Sequence, residues 1–182
     1  GSGDPDISLN FDINNNARPA PNGSNPDLGV YENDLAEREN RIIYVDQNGS
    51  DDDLGFQNQP FQTIQAAINI ASDGDSVFIY NGTYIENVDF RSSAIHLVGE
   101  NKLNTIVDGN STGSVISITE PNSGTSIIAN LTIKNGSGTS GGWPDLNGPV
   151  GGGIFAKYNN VSLKNLIIKE NSATSGGGVF IQ

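Results

Sequence analysis

Two short stretches of this chain each occur twice, at different intervals. Asn130-Leu131-Thr132-Ile133-Lys134 returns 35 residues on as Asn165-Leu166-Ile167-Ile168-Lys169. Gly151-Gly152-Gly153-Ile154-Phe155 returns 25 residues on as Gly176-Gly177-Gly178-Val179-Phe180. Self-similarity at a period of about 20 to 50 residues indicates stacked structural units. The difference of ten residues fits one insertion, residues 141–149, bulging from a single coil. If each coil contributes equivalent strands to parallel sheets, the Leu, Ile and Val at equivalent positions lie over one another in a dry interior, and the backbone hydrogen bonds run between coils. Asn130 and Asn165 then flank the strands at one corner, where Asn tolerates a left-handed backbone and its side chain satisfies turn amides. The Gly triplets supply tight corners for the same steric reason.

The rest of the sequence agrees with a turn-rich, all-β chain. Apolar runs at 42–45, 77–80, 95–98, 105–107, 115–118, 127–133, 154–156 and 161–168 are separated by Gly, Asn and Ser, which reads as short strands with polar turns. One segment differs. Phe61, Ile64, Ala67, Ile68 and Ala71 fall at helical spacing, with Pro60 at the entry and Asp73-Gly74 at the exit, which predicts a single helix over 61–71. An open stack presents an unpaired strand edge to other chains, so a lid is needed, and this amphipathic helix is placed to cover the first coil.

A length of 182 residues suits about one domain. With no Cys, disulfide scaffolds, thiolate zinc sites and thiol nucleophiles are excluded together. No apolar run is long enough to span a bilayer. The net charge is −12, and residues 1–60 hold 12 of the 21 acids against 3 of the 9 bases. Such a field repels phosphate backbones and anionic lipid, which argues against nucleic acid and membrane insertion and leaves cations, neutral sugars and proteins as partners. Gly1-Ser2-Gly3 reads as an expression scar. The final Val179-Phe180-Ile181-Gln182 stops inside a strand pattern, as in a piece of something longer. Residues 4–40, acidic and rich in Asn and Pro, form either a linker or an appended edge, with strand-like patches at 7–13 and 27–32.

The ordered set Tyr44-Val45-Asp46-Gln47-Asn48-Gly49-Ser50-Asp51, then Gln59-Pro60-Phe61-Gln62-Thr63-Ile64-Gln65-Ala66-Ala67-Ile68, Asp73-Gly74-Asp75-Ser76-Val77 and Asn81-Gly82-Thr83-Tyr84 resembles the opening of bacterial right-handed parallel β-helix proteins of the pectate-lyase-like superfamily. The Gly151 and Gly176 repeats, with Asn171-Ser172-Ala173, resemble the coils of its surface and secreted members. The resemblance covers residues 41–182 and implies a right-handed solenoid with one N-terminal capping helix: opening strand and cap at 41–75, coils at 76–182. Residues 12–19 and 27–32 resemble a closing stretch, so 4–40 would end a preceding module of a larger extracellular protein. The superfamily includes lyases, epimerases, tailspikes and adhesins, so fold alone does not fix activity.

Candidate sites come next. Asp46, Asn48, Ser50, Asp51 and Asp53 sit in one polar loop whose density of hard oxygen donors suits calcium, although no complete calcium-loop pattern is present; a solvated acidic turn accounts for them as well. The Gly-rich repeats lack the Asp of calcium-binding nonapeptides. Trp143, in the insertion, and Tyr158 are aromatic candidates for contact with sugar rings or protein. Lys134 and Lys169 form a possible basic ladder, and His96 lies between apolar neighbours with its side chain outward. A lyase of this kind, as the resemblance implies, gathers acids on calcium beside a basic residue; Glu86, Asp89, Glu100, Asp108, Glu120, Asp145 and Glu170 fall on different coils without a repeated column. No catalytic residue is assigned. The expected function is a non-catalytic segment of a bacterial cell-surface or secreted protein, an adhesin or display scaffold in contact with polysaccharide, surface protein or adjacent modules. A polysaccharide lyase or epimerase fragment and a carbohydrate-binding module are the alternatives.

Overall fold

The computed structural model describes residues 39–122, 124–140 and 148–182. The chain forms two compact units, Gly1–Glu39 and Asn40–Gln182. All the described residues except Glu39 fall in the second. The patches at 7–13 and 27–32, with nearly all of 4–40, lie outside them.

The second unit is all-β with parallel sheets and one helix. The first sheet runs in the order β1 (Ile42–Val45), β2 (Ser76–Ile79), β5 (His96–Gly99), β8 (Thr125–Ala129), β13 (Asn160–Lys164). The second runs β3 (Gly82–Ile85), β6 (Thr105–Asp108), β9 (Thr132–Lys134), β14 (Ile167–Lys169). The third runs β4 (Val88–Asp89), β7 (Ile116–Ile118), β12 (Ile154–Ala156), β15 (Val179–Ile181). From β2 onward the chain visits the three sheets in rotation, and every pairing within them is parallel. A small antiparallel pair, β10 (Thr139–Ser140) with β11 (Pro149–Val150), forms the stem of the insertion.

Both repeat offsets are realised as strand registers. Ile133 pairs with Ile168 and Lys134 with Lys169, 35 residues apart. Ile154 pairs with Val179 and Phe155 with Phe180, 25 residues apart. The two intervals differ because the β10–β11 stem interrupts the path from β9 to β14 and not the path from β12 to β15.

Period-two alternation puts every second side chain inside. Ile43, Val77, Leu97 and Ile128 stack on successive rungs of the first sheet, Tyr84, Val107 and Ile133 on the second, and Val88, Ile116 and Ile154 on the third, all buried in one core. Burial of each large apolar side chain contributes roughly 1.5–3 kcal/mol, so registers that keep these columns inside are strongly selected. Asn130 (φ 57°) and Asn165 (φ 49°) turn the chain from the first sheet to the second in the left-handed conformation. Their side chains stack, Asn165 Nδ2 donating to Asn130 Oδ1 at 2.8 Å. At another corner backbones come into direct contact: a Cβ on Gly136 would lie 1.8 Å from the carbonyl oxygen of Gly152 across the corner of the same coil, and one on Gly152 would lie 2.3 Å from that of Gly177 on the next.

The helix is shorter than its periodicity predicts. It spans Ile64–Ile70 (α1), with Thr63 as N-cap, its side chain accepting from the Ala66 N–H. Phe61 is taken by β1 instead: its N–H donates to Tyr44 O and its carbonyl accepts from Asp46 N, both at 2.9 Å. Ile64, Ala67 and Ile68 are buried in the core, and α1 packs on β1, β2 and β4. No helix among the described residues is long and apolar enough to cross a membrane.

Candidate functional site

Because Val88, Ile116 and Ile154 point inward, the residues beside them on the third sheet point out. Asp89 pairs in register with Ser117, Ser117 with Phe155, and Phe155 with Phe180. A groove of about 300 Å³ opens over this face, lined by Asn87, Asp89, Ser114, Ser117, Thr119 and Thr139 among others. Its walls are held by bonds between rungs. Asn87 Nδ2 donates to the carbonyls of Thr112 and, at 2.9 Å, Ser114, while Thr112 Oγ1 donates to Asn87 Oδ1 at 2.8 Å. Ser114 Oγ meets Thr139 Oγ1 at 2.9 Å, which joins the floor to the stem of the insertion. Asp89 Oδ1 accepts from the Arg91 N–H at 2.9 Å. One rung further the Phe155 and Phe180 rings lie 6.1 Å apart. Among the described residues, hydroxyls, an amide and one carboxylate line the groove, groups that exchange hydrogen bonds.

Tyr158 sits in the turn between β12 and β13, 62% exposed, with Lys157 Nζ 4.7 Å from its ring centroid. The Lys157 N–H donates to Ile118 O at 2.9 Å, so this turn leaves the third sheet one rung beyond Thr119, at the rim of the groove. Trp143 lies outside the described residues.

The oxygen donors of the acidic loop are turned to separate local tasks. Asp46 Oδ1 accepts from the backbone and side chain of Asn48 at 2.8 and 3.0 Å, and Ser50 Oγ from the Asp52 N–H at 3.2 Å. Asp51 reaches across the loop: Oδ1 accepts from Gln62 N and Thr63 N at 3.0 and 2.8 Å, and Oδ2 from Thr63 Oγ1 at 2.8 Å. Asp53 bonds through its backbone N–H to Ser50 O. Among the described residues no three of His, Asp and Glu gather as a metal site would require.

Lys134 and Lys169 are register neighbours, as a ladder requires, and each meets an acid. Lys134 Nζ lies 3.2 Å from Asp108 and Lys169 Nζ 3.4 Å from Glu170. Burial pushes the Asp108 carboxyl up, but the Asn110 N–H, the Asn135 amide and Lys134 outweigh it and hold the group below the usual carboxylate range. His96 is on the outer face of the first sheet, half-buried, with Leu97 inside.

Three groups escaped sequence reasoning. Glu86 is drawn under α1, Oε1 accepting from Ile64 N at 2.9 Å and Oε2 from Gln65 N at 3.1 Å. Burial raises its pKa and the nearby Asp51 adds to this, against the lowering by the two N–H groups. Asp75, fully buried, accepts from the N–H groups of Arg41 and Ser72 and from the Arg41 guanidinium. Tyr84 donates to Tyr80 O at 3.0 Å; burial, then the charge of Asp46, pushes its phenol above the ordinary tyrosine range. The bonds of Glu86 to α1 and of Asp75 to Arg41, at separations of 21 to 34 residues, carry no local signature from which they are readable.

No family model matches the chain. Over 66 residues it is 38% identical to the uncharacterized protein YwoF of Bacillus subtilis (strain 168), a match covering 35% of this chain and 14% of that protein. The chain thus spans a small part of the relative's length.

Proposed function

We propose that residues 40–182 form the opening of a right-handed parallel β-helix of the pectate-lyase-like kind, with α1 closing its first coil. This stiff solenoid serves as a non-catalytic shaft of a secreted or surface-displayed bacterial protein and meets neutral polysaccharide along the outer face of its third sheet. The rotation of the chain through three parallel sheets supports the solenoid, and the handedness follows from the right-handed preference of parallel crossovers.

The observation that carries the non-catalytic reading is the use made of the acids. Asp75 and Glu86 are committed to backbone N–H groups around α1, Asp51 to the segment entering it, and Asp108 to Lys134 and Asn135. They hold the stack together and lie on different rungs, whereas the groove face carries Asp89 beside hydroxyls. The surface this leaves is one for hydrogen bonding to sugars.

Two assays test the reading. Incubated with polygalacturonate or alginate and calcium, the protein should release no unsaturated ends absorbing in the ultraviolet; their release overturns the non-catalytic assignment in favour of a lyase. In affinity electrophoresis through gels containing neutral polysaccharide, Asp89→Ala should weaken retardation about tenfold, the loss expected for one charge-assisted hydrogen bond. Equal retardation of variant and parent removes the groove from the account.

A further inference from the structure

The outer face of the first sheet differs in kind from that of the third. Ile43, Val77 and Leu97 turn inward, so the residues beside them face out. One outward column runs Ile42, Ser76, His96 and Ile127, and a second runs Tyr44, Phe78 and Val98. Tyr80 follows β2 directly and is half-buried, like Tyr44 and Phe78. The three rings form one cluster. Those of Tyr44 and Tyr80 lie 22° from parallel with centroids 6.1 Å apart, and Phe78 meets both edge-on, at 5.9 and 5.3 Å. Gln57 Nε2 donates to the Tyr80 hydroxyl at 3.3 Å, and among the described residues no acceptor takes the proton of that hydroxyl.

We propose that Tyr44, Phe78 and Tyr80 form a stacking face for a neutral β-linked sugar chain, separate from the groove on the third sheet. A tyrosine offers an apolar ring to the C–H face of a sugar and a hydroxyl to its hydroxyls, so one side chain serves both halves of the contact. Charge narrows the ligand class. In the two outward columns His96 is the one side chain that gains charge near neutral pH. Asp46 and Glu100 follow β1 and β5 directly, on the rungs either side of Tyr80: the Tyr80 N–H bonds to Val45 O and the Glu100 N–H to Ile79 O. Two carboxylates at the rim repel a uronate or a phosphate. Each is already bonded locally, Asp46 to Asn48 and Glu100 to the Asn81 N–H, which leaves them as acceptors for hydroxyls. A second copy of the chain is disfavoured at the same face, because a net charge of −12 sets like molecules against each other.

Strand pairing accounts for part of the cluster and not for all of it. Tyr44 and Phe78 are register partners, and an aromatic cross-strand pair stabilises a sheet by itself. Tyr80 lies past the end of β2, where its neighbours on adjacent rungs are acids and no strand pairing calls for a ring. The stacking face needs no residue of the third sheet, so it stands or falls apart from the groove around Asp89.

The test is affinity electrophoresis of the full chain through gels containing hydroxyethyl cellulose. The parent should be retarded, and should remain so in molar salt, which screens charge and leaves stacking in place. Tyr44→Leu/Tyr80→Leu keeps apolar volume and removes two rings; it is expected to weaken retardation about tenfold while keeping the parent's circular dichroism. Tyr44→Phe/Tyr80→Phe keeps the rings and should lose about threefold or less. A parent that is not retarded, retardation abolished by salt, or a folded leucine variant retarded like the parent overturns the proposal. If the leucine variant unfolds, nitration of the parent by tetranitromethane decides, read by peptide mass spectrometry. Saturating cellohexaose should slow modification of Tyr44 and Tyr80 at least about threefold, as burial of both rings under a ligand requires. Protection of Tyr158 alone, at the rim of the groove, overturns the stacking face and supports the groove; protection of Tyr44 and Tyr80 alone does the reverse. Protection of none of the three overturns the stacking face.

Discussion

Gly136→Ala should cost about 3 kcal/mol or more and lower the thermal midpoint of the second unit by roughly 10 °C. The added methyl would meet the carbonyl oxygen of Gly152 at 1.8 Å, far inside any contact real atoms tolerate. That oxygen belongs to the backbone entering β12 in the same coil, which is tied to the coils on either side: the Gly152 N–H bonds to Gly176 O and its carbonyl accepts from Val115 N. Relief therefore demands moving a hydrogen-bonded rung rather than rotating a side chain, which places the substitution at the upper end of overpacking penalties. Gly113→Ala makes a useful contrast. It too lies at a bend of the chain, half-buried, but its Cβ would meet no atom closer than 3.7 Å, so its cost comes from its left-handed φ of 56° and should be nearer 1 kcal/mol. Thermal and urea unfolding of the two variants separate rung contact from backbone strain; equal losses would mean that the Gly136 to Gly152 approach is not tight.

Asp75→Ala is the second large effect, expected at about 3 kcal/mol, because two backbone N–H groups lose their acceptor at about 1–3 kcal/mol each. The Asp75 side chain is fully buried, and it receives the N–H groups of Arg41 at 2.8 Å and Ser72 at 3.0 Å together with Arg41 Nη2 at 3.1 Å. Arg41 Nη2 also donates to Ile70 O at 2.7 Å. One carboxylate on the entry to β2 thus ties down the entry of β1 and the exit of α1, so its loss orphans donors at Arg41 and Ser72 at once. Asp75→Asn keeps an acceptor for one N–H and should lose less than half as much in urea unfolding at neutral pH. If alanine and asparagine cost the same, the charge on Asp75 contributes nothing, and the junction is held by packing of Ile64 and Ile68 alone.

How much of this was legible beforehand depends on the range of the interaction. The duplicated Asn and Gly segments named the register partners outright, because stacking demands the same residue types at the same rung. The Asn corners were readable too, since few residues other than Gly accept a left-handed backbone at a one-residue turn. The helix stripe was readable, but its first turn was not: Phe61 has the right spacing for α1, yet β1 offered its backbone two hydrogen bonds and α1 would have left its N–H unpaired. β3 and β4 were missed as strands because Gly82–Ile85 begins with Gly and Thr rather than an apolar run and Val88–Asp89 is too short to display a period. In the acidic loop, sequence records which oxygens are close along the chain and not what they face; Asp51 faces the backbone of residues 62 and 63. The lysine ladder was visible, but Asp108, which pairs with Lys134 in register, stood 26 residues away with nothing to mark it. The groove on the third sheet was out of reach for the same reason, being composed of Asn87, Ser114 and Thr139 from three different passes of the chain.

The claim beneath all of this is that residues 35 apart are neighbours on the same face of adjacent parallel strands. Since the chain has no Cys of its own, paired cysteines report on it without background. Lys134→Cys/Lys169→Cys places two thiols on register partners facing outward, and a short bifunctional thiol reagent should link them within the monomer. In Lys134→Cys/Ile168→Cys the second thiol points into the core, and that pair should stay unlinked. Linking of the second pair in preference to the first would mean that β14 is shifted by one residue, and linking of neither would mean that the two strands are not neighbours at all.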